Sequence, residues 1–163
     1  MRKLIAAIVF ILSLMLLSAC AGNVNNSVDV LSLKKHMVDE NASLPSTDCA
    51  KSDDENGKTA FSYLCDIDYG KVGSYFFCYS SSGGPEEIAV IRLKSASDVE
   101  EAKSAVKKHV ETRKALFKEY DPEGAALYEQ ALIFSNGNDV VLIVCSSPMT
   151  IRSAYAQAKN NGE

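Results

Sequence analysis

The first twenty residues decide how much of this chain is left to fold. Met1-Arg2-Lys3 carries two positive charges and no acid, and an apolar run follows from Leu4 to Leu17 that only Ser13 interrupts. A positive start, a short apolar core and small residues before a cleavage point are typical of a secretory signal peptide. A membrane-spanning helix needs roughly 20 apolar residues, and this run is shorter. We therefore expect residues 1–19 to be a signal peptide that is removed.

The next feature is Cys20, which closes the sequence Leu17-Ser18-Ala19-Cys20. This sequence resembles a bacterial lipobox, in which the cysteine thiol receives a diacylglyceryl group and becomes the first residue after cleavage. Each buried methylene contributes about 0.8 kcal/mol, so two acyl chains hold a protein on a membrane where one chain binds only reversibly. We predict lipidation of Cys20, with the membrane as a partner and the chain on the extracytoplasmic face of the cell membrane.

The remaining chain has the size of one domain. Residues 20–27 are mostly small and polar, which predicts a flexible tether, and residues 28–163 suffice for a single hydrophobic core. The whole chain has a net charge of −4, and loss of Arg2 and Lys3 with the signal peptide makes it −6. An acidic domain lacks the basic surface that nucleic acids require, so no nucleic-acid partner is expected.

Four cysteines remain after Cys20, namely Cys49, Cys65, Cys78 and Cys145. An even number in an exported chain permits two disulfides in three connectivities. Cys78 and Cys145 lie within apolar segments, where a free cysteine behaves as a small buried residue. Buried free thiols and at least one bridge therefore both remain open.

The first half of the domain predicts one helix and two strands. Val28 to Val38 has helical apolar spacing with Ser27 as its cap, and Asn41 to Lys58 has the composition of a loop. Ser74 to Ser80 and Glu87 to Lys94 alternate as strands do. The segment Phe61 to Asp68 is too short for the spacing of its apolar residues to distinguish a helix from a strand.

The second half begins with a long helix. Ser97 and Glu100 have capping-box spacing, and Arg113 lies inside the apolar stripe of the helix that follows. Asp121-Pro122 ends this helix and starts a shorter one. The stripe itself consists of Val99, Ala102, Val106, Val110, Phe117 and Tyr120.

A hairpin and a final helix complete the pattern. The strands Ala131 to Phe134 and Val140 to Cys145 flank Asn136-Gly137, a dipeptide that favours tight turns. Ser147-Pro148 starts a last helix that runs to about Lys159. The order α-β-β-α-β-β-α predicts an α+β fold, an antiparallel sheet of about four strands with helices packed on one face.

Three segments together resemble a domain-of-unknown-function family of small lipoproteins found mainly in Gram-positive bacteria. They are Glu86 to Ile91, Phe117 to Glu123 and Gly137 to Val144, and the resemblance extends from Lys58 to Ala158. It implies a short helical turn within Phe61 to Asp68, and it implies no activity, cofactor or catalytic residue. This chain differs from the family in having Asp121 where a Leu is usual, and in its larger number of cysteines.

The chain offers little catalytic chemistry. His36 and His109 lie in different predicted helices without ligand spacing, so no metal site is predicted. A dyad of Cys145 and His109 is disfavoured, because a thiol in an apolar strand has a raised pKa. No catalytic residue and no cofactor are assigned.

One set of side chains suggests a binding surface. Tyr75, Phe77 and Tyr79 project from one side of a predicted strand. On an open sheet face they form an aromatic patch suited to an envelope protein, a glycan or a second copy. The alternative, which we favour, is that they belong to the core.

These observations lead to a functional hypothesis with two alternatives. We expect a membrane-anchored lipoprotein that acts as a noncatalytic binding or interaction module. The alternatives are an envelope-associated hydrolase with an unrecognised site, and a structural or assembly factor of the envelope.

Overall fold

The computed structural model describes residues 28–162. The expected signal peptide, the lipidation site Cys20, the tether at residues 20–27 and the expected cap Ser27 therefore lie outside the described residues. Within residues 28–162, no helix is both long and apolar enough to cross a membrane.

The described chain contains five α-helices and five strands. In chain order they are α1 (Val30–Lys34), which continues into a π-helical turn (Lys35–Asp39), β1 (Thr47–Lys51), α2 (Gly57–Leu64), β2 (Val72–Ser80), β3 (Glu87–Leu93), α3 (Val99–Tyr120), α4 (Pro122–Glu129), β4 (Leu132–Asn136), β5 (Asp139–Val144) and α5 (Pro148–Asn161). The α+β class is confirmed, and α2 confirms the helical turn expected at Phe61 to Asp68.

The strands form one antiparallel sheet in the order β1-β2-β3-β5-β4. The sheet has five strands, so the expectation of about four was wrong. The additional strand is β1, which lies inside the segment Asn41 to Lys58 that the sequence predicted to be a loop. β1 is an edge strand that pairs only with β2, and none of its residues is fully buried. Its polar composition is therefore compatible with its place in the sheet.

Helices cover both faces of the sheet, which corrects the expectation of one covered face. Tyr75 and Phe77 pack with α2, α3 and α4 on the first face. Phe76 and Cys78 pack with α1 and α5 on the second face. The central strands are apolar on both sides because each side is buried, and all six residues of β5 are buried.

The helix starts follow short polar side chains, although not always the expected ones. Asp29 accepts a hydrogen bond from the Leu31 amide and caps α1. Asp121 accepts one from the Gly124 amide and caps α4, with Pro122 at the first position as the sequence predicted. The capping box from Ser97 was wrong, because Ser95 caps a 3₁₀ turn that precedes α3.

The sequence left open whether the cysteines form a disulfide or stay as buried free thiols, and the structure contains both. Cys49 and Cys78 lie opposite each other on β1 and β2 and form a disulfide. Cys65 and Cys145 are free and buried. The bridge fixes the edge strand to the sheet interior, since Cys78 is fully buried.

A buried ionic network fixes the start of the domain. The carboxylate of Asp139, which is fully buried, accepts hydrogen bonds from Arg92 Nε at 2.7 Å and from Arg92 Nη2 at 2.9 Å. The Tyr155 hydroxyl and Lys159 Nζ also donate to it. Arg92 Nη1 donates to the Val28 carbonyl oxygen at 2.6 Å. The first described residue is therefore fixed on the second face, at the Asp139 end of the sheet.

Candidate functional site

The first face contains a second buried carboxylate, Glu87, at the start of β3. Its side chain is 2% exposed, yet it makes three polar contacts. Oε2 lies 2.6 Å from Nε2 of His109, and Oε1 accepts from Arg113 Nε at 2.9 Å and from the Tyr128 hydroxyl at 3.0 Å. A buried charge is tolerated when it is paired and hydrogen-bonded in this way.

Two elements bring these partners together. His109 and Arg113 are four residues apart and lie on the same side of α3, where they face β3, and Tyr128 comes from α4. The Arg113 guanidinium lies 5.0 Å from the centre of the Phe117 ring, with its side chain 31% exposed. This matches the sequence expectation of an arginine inside the apolar stripe.

Burial and the neighbouring polar groups together change the pKa values of two side chains in the cluster. Burial, followed by the charge of Glu87, raises the pKa of the Tyr128 hydroxyl. Burial alone would lower the pKa of Arg113, but the hydrogen bond to Tyr128 and the charge of Glu87 raise it. At neutral pH the cluster therefore contains a neutral phenol and a charged guanidinium.

A shallow groove opens beside this cluster, between the end of α2 and the middle of α3. Its volume is about 150 Å³. His109 connects the two features, because it is one of the residues that line the groove and its Nε2 contacts Glu87. The other polar residues of the groove are Ser62, Tyr63, Asp66, Lys108 and Thr112.

The groups in the groove that could act as nucleophiles are already engaged. The Ser62 hydroxyl donates to the Thr59 carbonyl at 2.7 Å, and the Thr112 hydroxyl donates to the Lys108 carbonyl at 2.9 Å. Burial raises the pKa of the Cys65 thiol to about 12, so it is protonated at neutral pH. The groove therefore offers hydrogen-bonding groups and an oriented imidazole, without an activated hydroxyl or thiol.

The aromatic residues proposed from the sequence as a patch do not share an exposed surface. Tyr75 is fully buried and donates from its hydroxyl to the Gly57 carbonyl at 2.5 Å, and Phe77 is 6% exposed. Only Tyr79 reaches the surface, at 40% exposure. The patch needed an open sheet face, and α2 and α3 cover that face. The core alternative holds for Tyr75 and Phe77.

The other sequence candidates are far apart. Cys145 packs on the second face of the sheet, so the sheet separates it from His109. His36 lies in the turn after α1 and contacts Glu40 Oε2 at 2.7 Å. Among residues 28–162 no group of three or more His, Cys, Asp or Glu side chains has a geometry that could hold a metal ion.

Sequence reasoning missed the site that the structure assembles. Glu87 and His109 are 22 residues apart and lie on different elements, so no local spacing connects them. One signal was present, because Glu87 is an acidic residue within a strand whose other residues are mostly apolar. A carboxylate in a buried strand requires hydrogen-bonding or oppositely charged side chains from other elements.

Comparison with known proteins gives one match. A family model described as a domain of unknown function, DUF4358, matches residues 47–145. The matched segment runs from β1 to the residue after β5 and includes Glu87, His109, Arg113 and Tyr128. Neither the curated proteins nor the solved structures give a significant match. Because the match covers more than half of the chain, the protein belongs to the DUF4358 family.

Proposed function

We propose that this protein is a lipid-anchored extracytoplasmic lipoprotein whose folded domain is a noncatalytic binding module. The lipobox at Cys20 supports the anchor. The bridge between Cys49 and Cys78 supports the compartment, because structural disulfides persist in oxidising environments outside the cytoplasm.

The position of Val28 supports a groove that remains accessible when the chain is anchored. Val28 is held by Arg92 on the second face, whereas Glu87 and His109 lie on the first face at the other end of β3. A seven-residue segment such as 21–27 spans at most about 25 Å. The anchor would thus approach the domain from the side away from the groove.

One observation mainly supports a noncatalytic role: the hydroxyl and thiol groups near His109 are hydrogen-bonded or buried. The imidazole is oriented by Glu87, but the hydroxyls of Ser62 and Thr112 are bonded to main-chain carbonyls and the thiol of Cys65 is buried. Such a set can recognise a ligand through hydrogen bonds. It lacks the pairing of nucleophile and base that covalent catalysis requires.

The same carboxylate and imidazole give some support to the alternative of a hydrolase. A buried carboxylate that orients a histidine is one component of acid–base catalysis. In that case His109 would activate water, and incubation with envelope material would release soluble fragments. A binding module would retain the material unchanged.

Cross-linking from the groove tests the binding module. A photo-reactive amino acid is placed at Thr112 in cells that contain the full chain, with Gln157 on α5 as the control, since both side chains are exposed. We expect a discrete cross-linked species from Thr112 and none from Gln157. The absence of any product from Thr112, or the same products from both positions, would contradict the proposal.

A further inference from the structure

The groove combines an exposed aromatic ring with balanced charges. Tyr63, at the end of α2, is 74% exposed, the largest exposure of any large hydrophobic residue among residues 28–162. Asp66 and Lys108 face each other with Oδ2 and Nζ 4.0 Å apart, and their side chains are 92% and 77% exposed. An ion pair that is this exposed and this long contributes little to stability, so both groups can bind something else.

A further polar group of the groove is Nδ1 of His109. A contact of 2.6 Å between Nε2 and a carboxylate oxygen assigns the proton to Nε2. Nδ1 is then the second hydrogen-bonding atom of the ring. Among residues 28–162 Nδ1 has no hydrogen-bond partner, and no buried side-chain nitrogen or oxygen lacks one. Nδ1 is therefore not fully buried, in a side chain that is 11% exposed.

The charges and the size of the groove limit its ligand. One exposed carboxylate and one exposed ammonium balance each other in the groove, which disfavours a strongly charged ligand. A volume of about 150 Å³ is below the roughly 300–1,000 Å³ of pockets that enclose a drug-sized molecule. The groove thus fits one ring-sized unit that is held from one side.

We propose that this groove binds a saccharide. Ring hydroxyls would donate to Asp66, accept from Lys108 and hydrogen-bond to Nδ1 of His109, and the apolar C–H face of the sugar would pack on the Tyr63 ring. Glu87 acts as a positioning residue, because it holds the imidazole through Nε2. This inference rests on the proposed binding module and names the class of its ligand.

Saturation-transfer difference NMR tests the saccharide directly. The full chain is kept in a detergent without a sugar headgroup, and the probes are the trimer of N-acetylglucosamine and maltotriose. We expect transfer from the protein to the C–H protons of at least one trisaccharide. Tyr63→Ala should weaken the apparent affinity about 3- to 10-fold, the range for loss of one aromatic contact. Tyr120→Ala removes an exposed tyrosine at the end of α3, outside the groove. It should leave the apparent affinity unchanged.

A second substitution tests the polar part of the site. His109→Gln keeps a donor near Glu87 and removes the imidazole Nδ1, so sugar binding should weaken while the melting temperature changes less than with Glu87→Gln. Absence of transfer to either trisaccharide, or equal transfer in the Tyr63→Ala and original chains, would overturn the proposal. A cross-linked protein at Thr112 without sugar binding would overturn the saccharide alone and leave the binding module in place.

Discussion

Nε2 of His109 lies 2.6 Å from Oε2 of Glu87, and this contact joins the surface groove to the interior of the sheet. His109 lines the groove from α3. Glu87, in β3, is held in place by hydrogen bonds from Arg113 and Tyr128. The imidazole orientation is thus set by buried groups. A preoriented group binds with less loss of conformational entropy.

We expect Glu87→Gln to destabilise the fold and to loosen the imidazole. Removing one partner of a buried ion pair costs about 3–5 kcal/mol. Arg113 is about one-third exposed and can recover some hydration, so we expect a decrease of about 2–3 kcal/mol in the free energy of unfolding. Urea denaturation measures it. Glu111→Gln, at an exposed position on α3, should change the free energy of unfolding by less than about 0.5 kcal/mol. Equal effects of the two substitutions would refute the role of Glu87.

Asp139→Asn should have a larger effect. Asp139 is fully buried and accepts from Arg92, Tyr155 and Lys159, so its neutralisation removes a buried negative charge that two cations contact. We expect a loss of about 3–5 kcal/mol. Faster hydrogen exchange in α1 should accompany it, because Arg92 also holds the Val28 carbonyl. Asp48→Asn, at an exposed position, is the control and should leave this exchange unchanged. Unchanged exchange in α1 of Asp139→Asn would show that the network does not fix the start of the domain.

The disulfide predicts a specific count of reactive thiols. With Cys20 replaced by Ala, unfolding without a reductant should expose two thiols to alkylation, those of Cys65 and Cys145, and reduction should raise the number to four. Loss of the bridge, which closes a loop with a sequence separation of 29, should lower the free energy of unfolding by about 3–4 kcal/mol. Mass spectrometry gives the count, and four thiols without reduction would exclude the bridge.

Stability should fall at alkaline pH. Burial raises the pKa of the Cys65 thiol to about 12 from 9.0, and burial also raises the pKa of the Tyr75, Tyr128 and Tyr155 hydroxyls. The folded state therefore keeps protons that the unfolded state releases, and stability decreases as the pH rises above about 9–10. Each such group contributes up to about 1.4 kcal/mol per pH unit.

Tyr155→Phe provides the matched test of this alkaline effect. It should reduce the slope of unfolding free energy against pH above pH 10, whereas Tyr63→Phe, at an exposed ring, should not. Thermal melts between pH 8 and 11 measure the slope. A slope that is the same in the original chain and in Tyr155→Phe would contradict the assignment.

The sequence predicted the elements with strong periodicity and missed the weak one. The hairpin at Asn136-Gly137 and the long helix α3 carry clear local signals, and both are present. β1 carries none, because Asp48 and Lys51 are polar and no residue of the strand is fully buried. Its position is set by pairing with β2 and by the bridge from Cys49 to Cys78, which are contacts between distant residues.

The residues of β3 and β5 could have predicted that helices cover both faces of the sheet. In β3, both Ile88 and Ala89 are buried, one on each side, and β5 is buried throughout. A strand that is apolar on both sides indicates two covered faces. The assumption of one covered face followed the order of the elements and underestimated α1 and α5.

The groove could not be derived from local patterns. Tyr63 lies at the end of α2 and Asp66 two residues beyond that helix, whereas Lys108 and His109 lie on α3. Their proximity therefore depends on how the two helices pack on the sheet. The family match adds the boundaries of the shared domain and no function. The physical case for the groove therefore depends on the contacts of His109.

Metabolic labelling with palmitate in the native host, followed by membrane fractionation, tests the anchored module most directly. We predict that the original chain incorporates the label and sediments with membranes, and that Cys65→Ala, which removes a different cysteine, does the same. Cys20→Ala should abolish labelling and release the protein from the membrane fraction. Labelling and membrane association that persist unchanged in Cys20→Ala would contradict the account.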